Sequence, residues 1–361
     1  MPSTAAPTSR FLRACRRQAV DATPIWLMRQ AGRYLPEYRK IREKATLLQM
    51  CENPALAAEV TLQPLRRFDL DAAILFADIL LLPRAMGLRL EFVKGEGPRL
   101  TPPVRTAKRV ARLREPDPRE KLGFVLDAIR LVRRALPPAK ALIGFAGAPF
   151  TVASYMVEGG PSDHYLVTKA MMHGEPALWK ALMTRLARAT TAYLEAQVEA
   201  GAQAIQLFDS WVGELSAEDY ERFVKPYSKL VLDAVSKTGV PVISFGTGNS
   251  GFLDRFASAG GDVIGADWRI PLDEAWKRIG PGRAIQGNLD PILLASGPTK
   301  AMLGAAKGVL ARAGGRSGHI FNLGHGVLPM TPPDRVKALV DFVHEESRLC
   351  PKGLSGPGGP G

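Results

Sequence analysis

Short apolar runs alternate with amphipathic stretches through most of this chain. Seven runs stand out, at residues 71–78, 140–147, 202–210, 241–247, 262–267, 284–288 and 318–326. Each is roughly four to eight residues long, β-branched or aromatic in part, and closed by Gly or a polar residue. The pattern predicts strands buried on both faces, as in a parallel sheet. An eighth strand is expected at 25–28 or at 88–92. The spacers carry helical signals. Residues 179–200 place Leu182, Leu186, Ala189, Tyr193 and Ala196 near the 3.6-residue period. Ser216 followed by Asp219 resembles a capping box. Asp334, after two prolines, opens a stretch with Val336, Leu339, Val340 and Val343 on one face. Repeated βα units with about eight strands predict an α/β fold, a single (β/α)8 TIM barrel. The rival is a doubly wound open sheet, which brings a Gly-rich turn after its first strand; GxGxxG is absent.

Of 361 residues, 46% are hydrophobic, enough for one core at this size. Three segments are expected: an N-terminal extension at 1–20, a catalytic barrel at 21–348 and a disordered, Gly/Pro-rich tail at 349–361. Residues 95–103 and 115–118 read as surface loops. The longest apolar stretch, 72–82, is interrupted by Asp78 and falls short of the roughly 20 residues of a membrane helix. The first twenty residues carry Arg10, Arg13, Arg16 and Arg17 with no apolar block, so no secretory signal is expected. Cys15, Cys51 and Cys350 are scattered and lack CxxC spacing, which argues against a disulfide framework and a cysteine-rich zinc site. The expected setting is cytoplasmic. The five histidines, His164, His173, His319, His325 and His344, offer no three-ligand spacing, so no metal is expected. A formal charge of +13 attracts polyanions, whether nucleic acid, membrane surface or a small polycarboxylate. No helix-turn-helix, RRM, KH or zinc-finger pattern supports nucleic acid.

In a barrel, chemistry gathers at the carboxyl ends of the strands. The polar residues expected there are Asp78, Asp209 with Ser210, Thr247, Asp267, Asn288 and His325. Each alone also suits an ordinary turn or helix cap; their convergence on one rim favours function. The N-terminal segment concentrates Arg29, Arg33, Arg39, Lys40 and Arg42 within fourteen residues. Arg39 and Arg42 fit a solvated helix face after Pro36. Arg29 and Arg33 follow an apolar Ile-Trp-Leu-Met run and read as partly buried, with Gly32 allowing the backbone to turn between them. A buried guanidinium needs an anionic partner, either an internal carboxylate or one on a substrate. Asp78, between Phe76 and Ile79, either caps a nearby amide or Arg or stands ready to meet a cation. Burial raises its pKa and nearby Arg lowers it. Tyr155 fits a rim position or plain packing, and His325, between two glycines, permits close approach to its backbone.

Several segments together resemble one family. They are MRQAGRYLPEYR (28–39), the run at 71–80, GFAGAPFTVASYMVEG (144–159), QLFDSWVGELS (206–216), IQGNLDP (285–291) and FNLGHGVLPMTPPDRV (321–336). In order and wording they are similar to the uroporphyrinogen decarboxylase family, across roughly residues 20–345. Ala77 within FADIL (76–80) and the loop at 245–253 depart from the usual pattern and touch none of the residues below.

The resemblance implies a (β/α)8 barrel that pairs as a homodimer with facing clefts. It implies a cofactor-free carboxy-lyase converting uroporphyrinogen III to coproporphyrinogen III in haem and tetrapyrrole biosynthesis, with four acetates becoming methyls. By motif position it implies substrate binding by Arg29, Gln30, Ala31, Gly32, Arg33, Asp78, Tyr155, Ser210 and His325, an aromatic wall at Phe208, and transition-state stabilisation by Asp78. The chemistry fits these residue types. A protonated pyrrole ring is its own electron sink, so no borrowed cofactor is required. A fixed anion near the pyrrole nitrogens stabilises that cation, and arginines grip peripheral carboxylates. The rival within the same superfamily is a corrinoid- or zinc-dependent methyltransferase, which needs a His/Cys zinc set at the strand ends.

Overall fold

The computed structural model describes residues 9–93 and 95–348. Cys350 and the tail expected at 349–361 lie outside them, as does most of the first half of the extension expected at 1–20. Within that extension, Arg10–Cys15 forms a helix whose Phe11, Ala14 and Cys15 are buried.

Nine strands occur among the described residues. They are β1 (Ala72–Ile74), β2 (Arg89–Val93), β3 (Gly97–Thr101), β4 (Ala141–Gly147), β5 (Ala204–Asp209), β6 (Val242–Gly246), β7 (Val263–Gly265), β8 (Ala284–Gln286) and β9 (His319–Ile320). Seven of them make one parallel sheet in the order β1-β4-β5-β6-β7-β8-β9. All seven expected runs are strands, and β4 is buried along its whole length, as a parallel strand covered on both faces must be.

The barrel expectation is met in part: a closed eight-strand ladder is not formed. Residues 24–26 occupy the gap between the two edge strands as a single extended bridge, Ile25 to Phe321. Phe321 N donates to Pro24 O (2.8 Å) and Asp71 N donates to Ile25 O (2.8 Å). The Asp71 carboxylate returns the contact by accepting from Ile25 N at 2.8 Å, and also meets Arg10 and His344. Residues 88–92, the other expected eighth strand, belong to an antiparallel hairpin of β2 and β3. That hairpin also replaces the surface loop expected at 95–103, because the β3 residues pair with β2 from Gly97 to Thr101.

The expected helices form at Pro176–Glu199 and Pro333–Ser347, and Ser216 Oγ caps Ala217–Asp219 by accepting from Asp219 N. The helix Pro149–Glu158 starts directly after β4 with proline in its first turn and stops at Gly159, whose φ of 87° is the left-handed conformation glycine adopts freely. The helix Pro176–Glu199 lies behind β4. Its Gln197 side chain bonds both backbone groups of Phe145, at 2.9 Å each. Gly144 permits that approach, since a Cβ there would lie 2.6 Å from Gln197 Oε1.

Candidate active site

A cavity opens at the carboxyl ends of the strands, with a volume of about 960 Å³ counting the space open to solvent. Met28, Arg29 and Ala31 line it from the N-terminal segment, and Phe76 to Ile79 from the turn after β1. Phe145, Phe208, Ser210 and Phe245 line it from β4, β5 and β6, and His325 and Gly326 from the loop after β9.

Asp78 sits deep in the protein yet keeps part of its surface on the cavity. Its Oδ1 accepts from Leu80 N at 2.8 Å, so one oxygen caps a turn. Among the described residues Oδ2 takes no protein hydrogen bond and Asp78 joins no ion pair. Burial raises its pKa above the ordinary carboxylate value; the Leu80 amide and the Arg29 charge pull it partly back. Desolvation therefore dominates, which leaves an under-compensated carboxyl facing an open space.

Arg29 holds the opposite charge, in a way the sequence did not suggest. Its residue is exposed rather than partly buried, and it pairs with no internal carboxylate among those described. The left-handed turn lies at Arg29 itself (φ 59°) rather than at Gly32. That turn swings the side chain across Gly326, where a Cβ would lie 2.4 Å from Arg29 Cδ. Gly326 thus leaves the channel along which Arg29 reaches the cavity. Arg33 is also exposed and does not line the cavity; its carbonyl accepts from Arg39. Gln30 is fully buried and faces inward: its amide donates to Ala72 O and accepts from Leu27 N. It anchors the arginine turn to β1 and has no surface left for a ligand. Gly32 packs against Arg29 O, where a Cβ would come within 3.3 Å.

His325 lies between the Arg29 and Arg269 charges. Burial first, and those two cations second, lower its pKa to about 4, so it is neutral near pH 7. Trp268 packs edge-on against it, with ring centroids 6.5 Å apart. Tyr155, on the helix after β4, is not part of the cavity lining, feels the charges of Asp78 and Arg29, and packs edge-on against Trp211 at 5.9 Å. Burial, then the nearby Asp78 charge, pushes its hydroxyl up to about 12, so it stays a hydrogen-bond donor.

Phe208 forms an aromatic wall with two residues the motif reading missed. Its ring meets Phe145 at 5.6 Å and Phe245 at 6.0 Å, both edge-to-face. The signal was present: one Phe near the end of each of three consecutive strands, in GFAG, LFDS and SFGT. Ile74 to Ala77, Ile79 and Met28 complete the apolar lining. Other polar strand ends hold the frame instead. Thr247 donates to Ser210 O, and Asn288 donates to Asp267 O and Ile270 O. Asp209 is buried, with Oδ1 accepting from Thr151 and Oδ2 without a partner; burial raises its pKa to about 7. Among the described residues no group of three or more His, Cys, Asp or Glu could hold a metal ion, and no helix is long and apolar enough to cross a membrane.

A parallel α/β sheet curled toward a barrel, with a buried carboxylate and an unpaired arginine facing each other at its carboxyl rim, defines a barrel-type enzyme for an anionic ligand. The same fold occurs in a methyltransferase from Methanosarcina mazei, with a TM-score of 0.76 and 24% identity, covering 93% of this chain and 97% of that one. The profile of the uroporphyrinogen decarboxylase (URO-D) family matches residues 6–346. Uroporphyrinogen decarboxylase from Sorangium cellulosum is 56% identical over 95% of this chain and 98% of its own, and that from Roseiflexus sp. is 54% identical over 94% and 99%. The chain belongs to the uroporphyrinogen decarboxylase family.

Proposed function

We propose that this cavity converts uroporphyrinogen III to coproporphyrinogen III, with Asp78 as the catalytic anion. Uroporphyrinogen decarboxylation, a carboxy-lyase step of tetrapyrrole biosynthesis, is the activity of the family. The observation that carries the residue assignment is the Asp78 carboxyl: it lines the cavity, one oxygen is fixed by Leu80 N, and among the described residues no cation is paired to it.

Decarboxylation moves the electron pair of the C–CO2 bond into the ring that carries the acetate. Protonation makes that pyrrole ring cationic, and the ring accepts the pair as carbon dioxide leaves. The exocyclic carbon then gains a proton while the ring carbon gives up the one it took on, which restores the pyrrole and leaves a methyl group, so each turn consumes one proton net. A carboxylate held in a dry site opposes the ring's positive charge without reorganising, an effect of about 3–4 kcal/mol for one well-placed group. The raised pKa of Asp78 is the counterpart: the anion is poorly solvated and gains most when a cation forms beside it. Arg29 serves as the grip on peripheral carboxylates, assisted by hydrogen bonds from Tyr155 and Ser210 and by neutral His325. Arg33 acts at longer range from the surface. Gln30, Ala31 and Gly32 shape the turn that aims Arg29. Phe145, Phe208 and Phe245 supply an apolar face for the macrocycle.

The reading extends to a closed (β/α)8 architecture completed by residues 24–26, to a catalytic domain at 21–348 between terminal extensions, to a homodimer with facing clefts, and to a cytoplasmic setting without cofactor. Family likeness supports these, and the backbone bonds of Pro24 and Ile25 to both edge strands support the first. The test is anaerobic turnover of uroporphyrinogen III with chelator present, reading coproporphyrin by chromatography after oxidation. Wild type should form it, and Asp78→Asn, folded by its melting curve, should lose about 100- to 1,000-fold in kcat. No product from wild type overturns the activity; a near-normal rate in a folded Asn variant overturns the role of Asp78.

A further inference from the structure

The loop after β7, residues 267–270, plays no part in the reading above, yet it is built with unusual rigidity. Asp267 is 1% exposed, and its carboxylate accepts from Gly248 N (2.7 Å), Arg269 N (2.9 Å) and Arg269 Nη1 (2.6 Å). Asn288 Nδ2 donates to Asp267 O and to Ile270 O, at 2.8 and 2.7 Å, and so ties both ends of the loop. Gly324 lets the loop lie flat against the His325 segment, because a Cβ there would stand 2.3 Å from Trp268 N.

This frame presents one cation. The Arg269 guanidinium stacks over the Trp268 ring, 4.0 Å from its centroid, and Trp268 in turn packs against His325 of the cavity wall. Nη1 is taken by Asp267, while Nε and Nη2 have no protein partner among the described residues. The side chain is about half exposed (48%). Its conformation is therefore held on one edge and one face, which leaves the Nε–Nη2 edge free of protein bonds among the described residues, on a half-exposed side chain one aromatic ring away from His325. That edge is the planar two-donor fork that matches a carboxylate. Its positive charge acts at His325 more strongly than the opposing charge of Asp267. A guanidinium already ordered loses little side-chain freedom when it binds.

We propose that Arg269 is a second carboxylate-binding residue, which takes one peripheral arm of the macrocycle at the rim beyond His325. The inference rests on the cavity being the porphyrinogen site. It follows from a mismatch of charge: the substrate carries eight carboxylates, and among the described lining residues the cationic side chain is Arg29, His325 being neutral. The arms that project past the aromatic wall need cations outside the lining, and Arg269 is held ready by stacking and by a buried carboxylate.

Arg269→Gln and Arg269→Met, the latter keeping an apolar stem over Trp268, are assayed anaerobically with uroporphyrinogen III beside wild type. The expected result is a KM raised about tenfold or more with kcat within about twofold. Arg269→Lys should recover part of the loss, and the rise of KM with added salt should be shallower in the neutral variants. Unchanged KM in either folded variant overturns the proposal, as does a fall in kcat alone, which would mark a role in loop placement only. Wild type without any turnover overturns the porphyrinogen reading itself and this proposal with it; the two failures are thus distinguishable.

Discussion

Replacing Gly326 with alanine adds one methyl group and removes no charge, yet it should disable the arginine of the cavity. The added Cβ would lie 2.4 Å from Arg29 Cδ, 2.6 Å from Cγ and 3.0 Å from Cβ. Rotating the outer torsions of Arg29 relieves only the first contact, the second requires turning χ1, and no side-chain torsion moves the third. Either the whole side chain leaves its channel or the segment at 325–327 moves, and Val327 N is fastened to Met28 O at 2.8 Å. Overpacking of this kind costs about 1–3 kcal/mol in stability. Losing a charge-assisted contact to substrate costs about 1.5–3 kcal/mol more in transition-state binding, which is roughly 10- to 150-fold in kcat/KM. The assay is anaerobic turnover together with a thermal melt, on Gly326→Ala, Arg29→Ala and the double variant. If the methyl acts through Arg29, the double variant should be no slower than Arg29→Ala. Two independent, additive losses would refute the reasoning, as would a Gly326→Ala enzyme within twofold of wild type while Arg29→Ala is crippled.

Two further changes probe the frame. Asp209 has a folded-state pKa raised from 3.8 to about 7 by burial, so its native form favours the bound proton. The stability it contributes is present below pH 4 and is lost as pH rises through about 7. Asp209→Asn mimics the protonated form and should flatten that slope, gaining up to about 4 kcal/mol relative to wild type at pH 8 and little at pH 4; parallel denaturation slopes at the two pH values would count against it. Asp71→Asn should strip the clamp between Ile25, Arg10 and His344, lowering stability by about 3 kcal/mol as expected for a broken buried ion pair. Its Arg29-dependent KM should rise in step, since one segment carries both Ile25 and Arg29; a lower melting point with unaltered KM would separate the Ile25 bridge from arginine placement.

What could be read in advance followed from burial. The sheet strands are covered on both faces, so their apolar runs survive as contiguous signals, and all seven were legible. The segment between β9 and β1 was legible only as one of two candidates, 25–28 or 88–92, because Pro24 to Trp26 make single bonds to their neighbours rather than a ladder, and an apolar Ile-Trp-Leu-Met run alone does not separate a bridge from a strand. The β2–β3 hairpin was hidden by Gly95, Gly97 and the nearby prolines, which look like loop residues whether or not they pair. At the site, the RQAGR motif identified the right turn but not the fate of its members. Consecutive residues diverge there: Arg29 points out at φ 59° while Gln30 is buried against β1. No periodicity encodes such a turn, since a left-handed arginine breaks both the helical and the strand pattern.

That turn also explains why charge could be left unpaired at the cavity. An arginine and a carboxylate facing one space would normally collapse into an ion pair, which would neutralise both before any ligand arrived. Here each is held by something other than its opposite. Arg29 is threaded across Gly326, Asp78 is tied to Leu80 N, and the phenylalanine wall lines the same space. Keeping the pair apart leaves Asp78 poorly solvated, which its raised pKa reports. A ligand that carries carboxylates on its rim and develops positive charge at its centre satisfies both groups at once. An arrangement with the two locked together could bind the rim or stabilise the centre, but not both in a single pose.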